Sequence, residues 1–513
     1  MVSFNDNDII IGSKTEELMI NNPSQTIFNI IKIFGHKYDE IISKTNGLLW
    51  PFTIYKDNNN KPYIKIKEKN EDNIYYFEQI LVLFLKKLFD LIFNKISIEN
   101  NKNNKETLLN LTLIISIPNC FTFYQRKLLE QIFISEIFPK NNCTYGRYQI
   151  ILDKIGIENR SSIASLCLKN SPKIKNNNIL IINLDSCSVD ISIISIYDNI
   201  KKVIAVDNIE LIDENFIDNF IELCLRIIKK NNINIPKEFL YNNSLLSKIR
   251  NLSSNIIKNL IIKEEVIFII DNLKNGNGNC ILKVNKIDYD KICFDLCKKI
   301  IILIKNIIQK AKLNENEIND IILIGEGINM NKLNQMIKEL FINNKNIYDK
   351  LSISHNSIIN NDNKDFYIVA GAALLAYNLN NQSFFIFRNI CPINIGIESY
   401  NGNFDIIVEK DSELPLNSKK NIKIKNNDNN YVIINIYEGK ETMAINNKFI
   451  SKFSFDKNEF KFIEDINKKD FLELFVEFEI DINLNIKFYI NDNNSYNHLF
   501  KCEINVSKIE KKE

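Results

Sequence analysis

A mixed α/β domain followed by a β-rich domain is the fold class that this sequence predicts, and three observations predict it. Up to about Asn380, strand-like apolar runs alternate with segments of helical period. At 383–389 a short apolar ribbon, SFFIFRN, lies between two polar stretches. Beyond it the pattern becomes a succession of strands separated by turn clusters. The domains are therefore drawn at 1–380 and 390–513, with 383–389 as the linker. The second, of roughly one hundred residues or more, has an ordinary domain size.

In chain order, Leu111–Ile117 (LTLIISI), Ile179–Leu184 and Ile321–Ile324 read as strands. FTFYQRKLLEQIFISEIF, NFIDNFIELCLRIIKK and DYDKICFDLCKKIIILIKNIIQKA carry helical periodicity. Asn100–Lys105 and Asn275–Asn279 (NGNGN) read as loops or insertions. In the second domain FDIIVEK, NIKIK, YVIINIYEGK, LFVEFEIDI and NIKFYIND read as strands, with clear alternation in VEFEIDI. The FFIF ribbon has two readings that composition alone leaves open. It is either the last strand or buried edge of the first domain, or an apolar linker that docks in one state and is released in another.

The 513 residues give ample length for two or three cores. Sixty-five Lys and Arg nearly cancel 63 Asp and Glu, so nothing in that balance argues for nucleic acid or an anionic membrane as an obligatory partner. Lysines break every long apolar run before it reaches membrane-spanning length, so no membrane partner is expected. MVSFNDNDII has no basic region followed by an apolar core, so no secretory signal is read there. Ten cysteines are scattered without a CxxC pair, and no histidine lies near Cys293 and Cys297 to complete a metal site. Reduced core thiols and a cytoplasmic location are expected, with no metal centre in the protein itself. His36, His355 and His498 are too dispersed in sequence to suggest a nucleophilic triad.

One stretch, LIINLDSCSVDISIISI at 180–196, has the look of a phosphate-binding turn between two strands. Its centre, Asp185-Ser186-Cys187-Ser188, contains no glycine and places an acid where phosphates would sit.

Over essentially its full length the chain resembles the heat shock protein 70 family. NPSQTIFNIIKIFGHKYDE is similar to the family's NPxNTVFDAKRLIGRxFD, and LLWPF to its HWPF. SIPNCFTFYQRKLLEQI resembles VPAYFxxxQRxAxxxA, keeping Pro118, Phe121, Gln125 and Arg126. AGAALLA is similar to AxGAAxQA, and CPINIGIESYNG, LPL and IINIYEGK to TPLSLGIExxGG, IPT and IxVYEGE. Seven ordered matches at family spacing are specific where one would not be.

The resemblance implies an actin-like ATPase fold with two lobes and four subdomains, then the hydrophobic linker, then a β-sandwich that binds extended peptide. The helical lid expected after the sandwich is absent from the sequence read, because the chain ends soon after NIKFYIND. Val2-Ser3-Phe4 aligns after the family's first phosphate loop, so roughly forty residues, several strands' worth, are expected to be missing there. Their loss would leave unpaired strand edges, and a gene model lacking its first exon is favoured over an adapted fold.

The resemblance also assigns the unusual turn, since the family's second phosphate loop reads DLGGGTFD. Its metal-organising carboxylate becomes Asn183, and its three glycines become Asp185, Ser186 and Cys187, followed by Ser188. Glycines there let backbone N–H groups approach phosphate without Cβ interference. Asp185 would instead oppose a triphosphate by roughly 4 kcal/mol at 4 Å and an effective dielectric near 20.

Other cleft positions depart similarly. The catalytic lysine of DAKR falls on Ile31, removing a cation that stabilises the transferred phosphoryl group. The adenosine clamp ExxKRxxS corresponds to Ser254, Ile257, Lys258 and Ile261, the loop GGSTR to GEGIN, and GGEDFD to NIELID. Gly325, Gly327 and Gly371 are kept, Glu326 intrudes, and Glu158 and Asp365 survive in their motifs. The cofactor-binding residues implied are thus Asp185, Ser186, Cys187, Ser188, Gly325, Glu326, Gly327 and Asp365, a vestigial cleft without a catalytic set. ATP binding is expected to be weak or absent, with magnesium entering only alongside ATP.

The peptide-cleft positions carried over are Ile397, Ser399, Tyr400, Ile422, Lys425, Val432 and Ile434. Four are aliphatic and suited to the side chains of an extended strand, although an ordinary sandwich core would read the same way. Tyr400 and Lys425 correspond to the pair arching over the peptide. The glycine of the DANG turn is Leu484.

A diverged cleft, a retained linker and no lid resemble the ribosome-associated, lidless class. That class partners a J-domain protein and acts through a catalytically active relative. The expectation is a non-hydrolysing chaperone or co-chaperone acting with a J-domain partner on nascent or unfolded polypeptides. The ribosome and an active relative are further candidate partners. An ordinary ATP-dependent peptide-binding chaperone and a stand-alone peptide-binding module stand as alternatives, with an actin-like structural protein more remote.

Overall fold

Alternation and helical period organise the chain into three packed regions. The computed structural model describes residues 1–5, 8–44, 50–68, 71–99, 107–139, 143–146, 148–167, 177–185, 188–198, 200–210, 216–230, 242–271, 280–325, 330–344, 366–381, 386–426, 430–459, 470–482, 484–491 and 498–503. The loops expected at 100–105 and 275–279 lie outside these residues, as do Ser186, Cys187, Glu326, Gly327, Asp365 and 383–385.

The first α/β unit contains strands β1 (Val2–Asn5), β2 (Asp8–Ile11), β3 (Thr26–Ile27), β4 (Tyr55–Lys56), β5 (Pro62–Glu68) and β6 (Glu71–Tyr76). It continues with β7 (Thr107–Ile117), β8 (Thr144–Tyr145) and β9 (Tyr148–Asn159). Its helices are α1 (Thr15–Asn21), α2 (Ile30–Ile33), α3 (Tyr38–Lys44), α4 (Phe77–Glu99) and α5 (Phe123–Ile132). The strands form three three-stranded sheets, β2-β1-β3, β4-β5-β6 and β7-β9-β8, with β7 and β9 parallel. One aromatic-rich core joins them, including Phe4, Phe34, Phe77, Phe93 and Phe121. The helix expected from FTFYQRKLLEQIFISEIF is α-helical to Ile132 and then turns once as a π-helix over Phe133–Ile137. That wider turn directs Phe133, Ile137 and Phe138 into the core around Phe89 and Tyr145.

The short helix α6 (Arg160–Ala164) leads into the second α/β unit. Its strands are β10 (Asn177–Leu184), β11 (Ser188–Tyr197), β12 (Ile200–Glu210), β13 (Glu265–Ile270), β14 (Cys280–Asn285) and β15 (Asp320–Ile324). Its helices are α7 (Phe216–Lys230), α8 (Asn243–Ile262), α9 (Lys286–Ile292), α10 (Phe294–Lys310), α11 (Asn331–Leu340) and α12 (Phe366–Asn381). The single helix expected from DYDKIC onward is kinked at Cys293 (φ −87°, ψ −4°), which turns both Tyr289 and Cys293 inward.

The central sheet of this unit has the order β15-β10-β11-β12-β16, where β16 is Ile386–Arg388 from the apolar ribbon. β16 runs parallel to β12, pairing Ile386 with Ile200 and Arg388 with Lys202. One sheet face supports the large core that includes Leu180, Ile182, Phe220 and Leu296. The other packs Ile179, Ile181 and Ile194 against Ala164 of α6, Tyr367 of α12 and Phe387 of β16. The two faces explain why β10 reads as a continuous apolar run: it is covered on both sides.

The remaining strands are β17 (Ile395–Glu398), β18 (Phe404–Val408), β19 (Leu416–Lys425), β20 (Tyr431–Glu438), β21 (Lys448–Asp456), β22 (Phe471–Ile480), β23 (Ile486–Asn491) and β24 (His498–Glu503). They form two antiparallel four-stranded sheets, β18-β17-β20-β21 and β19-β22-β23-β24. The core between them is aliphatic and phenylalanine-rich, and takes one side chain, Phe123, from the first unit.

Candidate functional site: a cleft bridged by its own side chains

β10 and β11 are an antiparallel pair, and β10 runs parallel to β15. The glycine-free turn therefore lies at the carboxyl ends of β10 and β15, where open α/β sheets bind ligands. Gly325 ends β15 with φ +92°, and a Cβ there would stand 2.1 Å from the Leu184 carbonyl oxygen and 3.1 Å from Asn183 Oδ1. Only glycine allows this approach. Gly371 serves a different contact, letting α12 meet the Ile163 carbonyl of α6.

Asp185 does not stand alone in the turn. It forms an ion pair with Arg160, whose side chain is 14% exposed against 39% for Asp185. The Asp185 N–H donates to the Ser188 carbonyl at 3.1 Å, closing the turn. The electrostatic opposition expected from Asp185 is thus countered within the chain by a guanidinium. Asn183 and Asp190 face one another across β10 and β11, so both side chains emerge on one sheet face. Both are buried, and Asn183 Nδ2 has no hydrogen-bond partner among the described residues. Asp190 accepts the Asn119 backbone N–H at 3.0 Å. Burial pushes its carboxyl up to about 6, against the pull of Arg160 and the Asn119 N–H. Ser161 completes the cluster, donating to Asn119 Oδ1 at 3.1 Å and meeting the Ser192 hydroxyl at 2.5 Å.

Ile31 lies on α2, partly buried against the aromatic core, so this position itself carries no cation. Of the adenosine-clamp positions on α8, Ser254 and Ile257 are half-buried and Lys258 is exposed. Ile257 packs against the second unit's core. Among the described residues there is no group of three or more His, Cys, Asp or Glu suited to hold a metal ion. No helix among them is long and apolar enough to cross a membrane.

Glu158, at the end of β9, is buried and accepts Asn389 Nδ2 at 2.7 Å, immediately after β16. Burial pushes this carboxyl up to about 7, against Arg126 and the Asn389 hydrogen bond. Arg126, also buried, donates to the Phe121 carbonyl at 3.1 Å and to Asn159 Oδ1 at 2.5 Å.

The β-sandwich meets this region through the start of α5. Thr122 caps the helix by accepting the Gln125 N–H, and Gln125 returns the bond to the Thr122 N–H. The next two donors, the N–H groups of Phe123 and Tyr124, are taken at 2.6 and 3.1 Å by the carboxylate of Glu438 from β20. Lys448 of β21 donates to the Gly35 carbonyl at 3.1 Å. These contacts were not legible in the sequence, apart from the T-x-x-Q spacing that marks a helix start.

Within the sandwich, Ile397, Ile422, Val432 and Ile434 share one core, each at most 2% exposed. In this arrangement their side chains face the opposite sheet. Ser399 accompanies the β17–β18 turn, its N–H donating to the Asn403 carbonyl at 2.9 Å. Tyr400 is 38% exposed with its ring 5.6 Å from Phe471, the cross-strand partner of exposed Lys425. The carried-over positions thus divide into a buried aliphatic set and a more exposed Tyr400–Phe471–Lys425 corner. Leu484 takes the left-handed conformation, φ 62°, in its hairpin turn, the conformation that a glycine adopts without strain.

The chain is similar to "Heat shock cognate 70 kDa protein 3" of Dictyostelium discoideum, 24% identical over 462 residues, covering 88% of this chain and 67% of that one. It is similar to "Heat shock 70 kDa protein" of Emericella nidulans, 21% identical over 460 residues, and of Neurospora crassa, 20% identical over 460 residues. Each of these alignments covers 88% of this chain and 65% of the relative. The chain therefore spans about two thirds of the length of these relatives. The model of the family described as "Hsp70 protein" matches residues 1–130 and 155–485, and the chain belongs to the Hsp70 family.

Proposed function

We propose that this chain is a non-hydrolysing chaperone or co-chaperone of the Hsp70 family, an actin-like ATPase fold turned to holding partners. Members of the family bind ATP with magnesium, polypeptide substrates and J-domain proteins. Here the donor set suits a triphosphate with its metal poorly. A neutral amide, Asn183, occupies the carboxylate position, and its buried Nδ2 is a donor that a cation would repel. Asp185 occupies the phosphate cradle and has drawn Arg160 onto itself. Ile31 supplies no charge for a transferring phosphoryl group. The observation that carries the reading is the Arg160–Asp185 pair within the turn that would have to grip phosphate. Binding of ATP is correspondingly weak or absent, and magnesium enters only with it.

In this reading the work falls to the sandwich and its junction with the first domain. An extended polypeptide, such as a J-domain partner's segment or a nascent chain, would engage the Tyr400–Phe471–Lys425 corner, since Ile397, Ile422, Val432 and Ile434 face the opposite sheet. Cytoplasmic action, with the ribosome and a catalytically active relative as partners, belongs to the same proposal.

Phosphate release from ATP by the purified chain, with a J-domain protein and an unfolded polypeptide present, tests the reading. No turnover above background is expected for the wild type. Turnover that is stimulated by the J-domain protein and abolished by Asp190→Asn would overturn it, restoring the ordinary ATP-dependent chaperone.

A further inference from the structure

The same ion pair ties the β9–α6 junction to the turn of the second α/β unit. Arg160 is the first residue of α6 and follows β9 of the first α/β unit without a break. Asp185 begins the β10–β11 turn of the second. Further contacts cross between the units. The Asn119 N–H reaches Asp190 at 3.0 Å, and His36 Nε2 lies 3.1 Å from Glu210 Oε1 at the end of β12. Asn243 of α8 donates to the Pro51 carbonyl at 2.8 Å, and the Arg250 guanidinium lies 4.8 Å from the centre of the Phe28 ring.

The linker is held from both sides of this closure. β16 adds to the β12 edge of the second unit, with Arg388 and Lys202 both bonded to Glu413 of the β-sandwich, at 2.8 and 2.6 Å. The next residue, Asn389, is held by Glu158 of the first unit. Glu158 and Arg160 are separated by one residue at the β9–α6 junction. Fixing Arg160 against the second unit's turn therefore also fixes the acceptor that holds the end of the linker.

We propose that the Arg160–Asp185 pair replaces a bound triphosphate as the tie between the two α/β units, so that β16 stays on β12 without nucleotide. The inference rests on the reading that this cleft does not grip a triphosphate. It adds that the docked linker is the resting state and needs no ligand to maintain it. A guanidinium–carboxylate pair suits the role, because charge-assisted bonds are the strong and directional ones and this one is largely sheltered on the arginine side.

Hydrogen exchange at the backbone amides of 386–388 in the full chain tests it, with and without saturating magnesium ATP. The wild type is expected to be protected equally in both conditions. Arg160→Ala and Asp185→Ala each remove one hydrogen-bonded charge, and exchange without nucleotide should quicken by roughly tenfold or more. The reciprocal double variant, Arg160→Asp with Asp185→Arg, should recover most of the protection. Thermal melting of each variant separates loss of the tie from loss of the fold. A folded swap variant that leaves 386–388 as exposed as the single variants overturns the proposal. So does a wild type whose segment is protected only when magnesium ATP is added. ATP turnover measured on the same samples separates the two readings. Turnover rejects the proposed function and the inference that rests on it, whereas a folded swap variant that stays exposed while no turnover is seen rejects the tie alone.

Discussion

Phe123→Ala should release the β-sandwich from the first domain while leaving each domain folded. Phe123 is the first residue of α5, yet it is 1% exposed and its ring belongs to the sandwich core beside residues such as Cys391 and Ile395. Removing a ring from such a site costs about 3–5 kcal/mol through lost transfer energy and the cavity left behind. The ring crosses a domain junction, so the loss falls mainly on docking. About 4 kcal/mol shifts that equilibrium by roughly a thousandfold. The Glu438 carboxylate, which accepts the Phe123 and Tyr124 N–H groups, would then return to water together with those donors. Scanning calorimetry should show a main wild-type transition that divides in the variant, because uncoupled domains unfold separately. Hydrogen exchange at the amides of Phe123 and Tyr124 should quicken in parallel. A variant that keeps the wild-type transition and both amides protected would refute the claim that this side chain anchors the sandwich.

Gly325→Ala should destabilise the second unit by more than about 4 kcal/mol, because the new Cβ meets the Leu184 carbonyl at 2.1 Å in a left-handed backbone; chemical denaturation would show it. Arg250→Ala should cost about 3–5 kcal/mol by the same measure, since it removes the guanidinium bonded at 2.5 Å to the Asp218 carboxylate, which is 7% exposed. Glu158 has a folded-state pKa of about 7, raised by burial above the unfolded value. Its contribution to stability is therefore greatest below pH 4.5 and is lost as pH rises through about 7, by up to about 3 kcal/mol. Glu158→Gln, which can still accept from Asn389, should flatten melting temperature against pH across that window.

The larger elements were legible because burial writes itself into periodicity. LTLIISI lies within β7, and the apolar runs at 179–184 and 321–324 lie within β10 and β15. β18, β19, β20, β22 and β23 follow the alternating segments of the second region, since each sheet shows one face to the core, whereas β17, β21 and β24 were not read as strands. The kink at Cys293 and the π turn at Phe133 were not legible, because packing rather than residue type sets them. Of the two readings of the apolar ribbon, Ile386–Arg388 takes the form of an edge strand in this state. At the candidate site, substitutions such as Ile31 and Asn183 were visible at once as losses of charge. What replaced them was not visible, because Arg160 stands 25 residues from Asp185 and only the crossing of α6 over the sheet unites them. Asp190 lay within the quoted turn, but its partner Asn119 is 71 residues away. Charge lost in a motif can be read locally, whereas charge gained from another element requires the fold.

Calorimetric titration of magnesium ATP into the 513-residue chain decides whether this turn still grips a triphosphate. With Asp185 paired to Arg160 and a neutral amide at Asn183, the account predicts no saturable heat in the micromolar range. A one-to-one isotherm of micromolar or tighter affinity, lost when Asp190 is changed to asparagine, would contradict it.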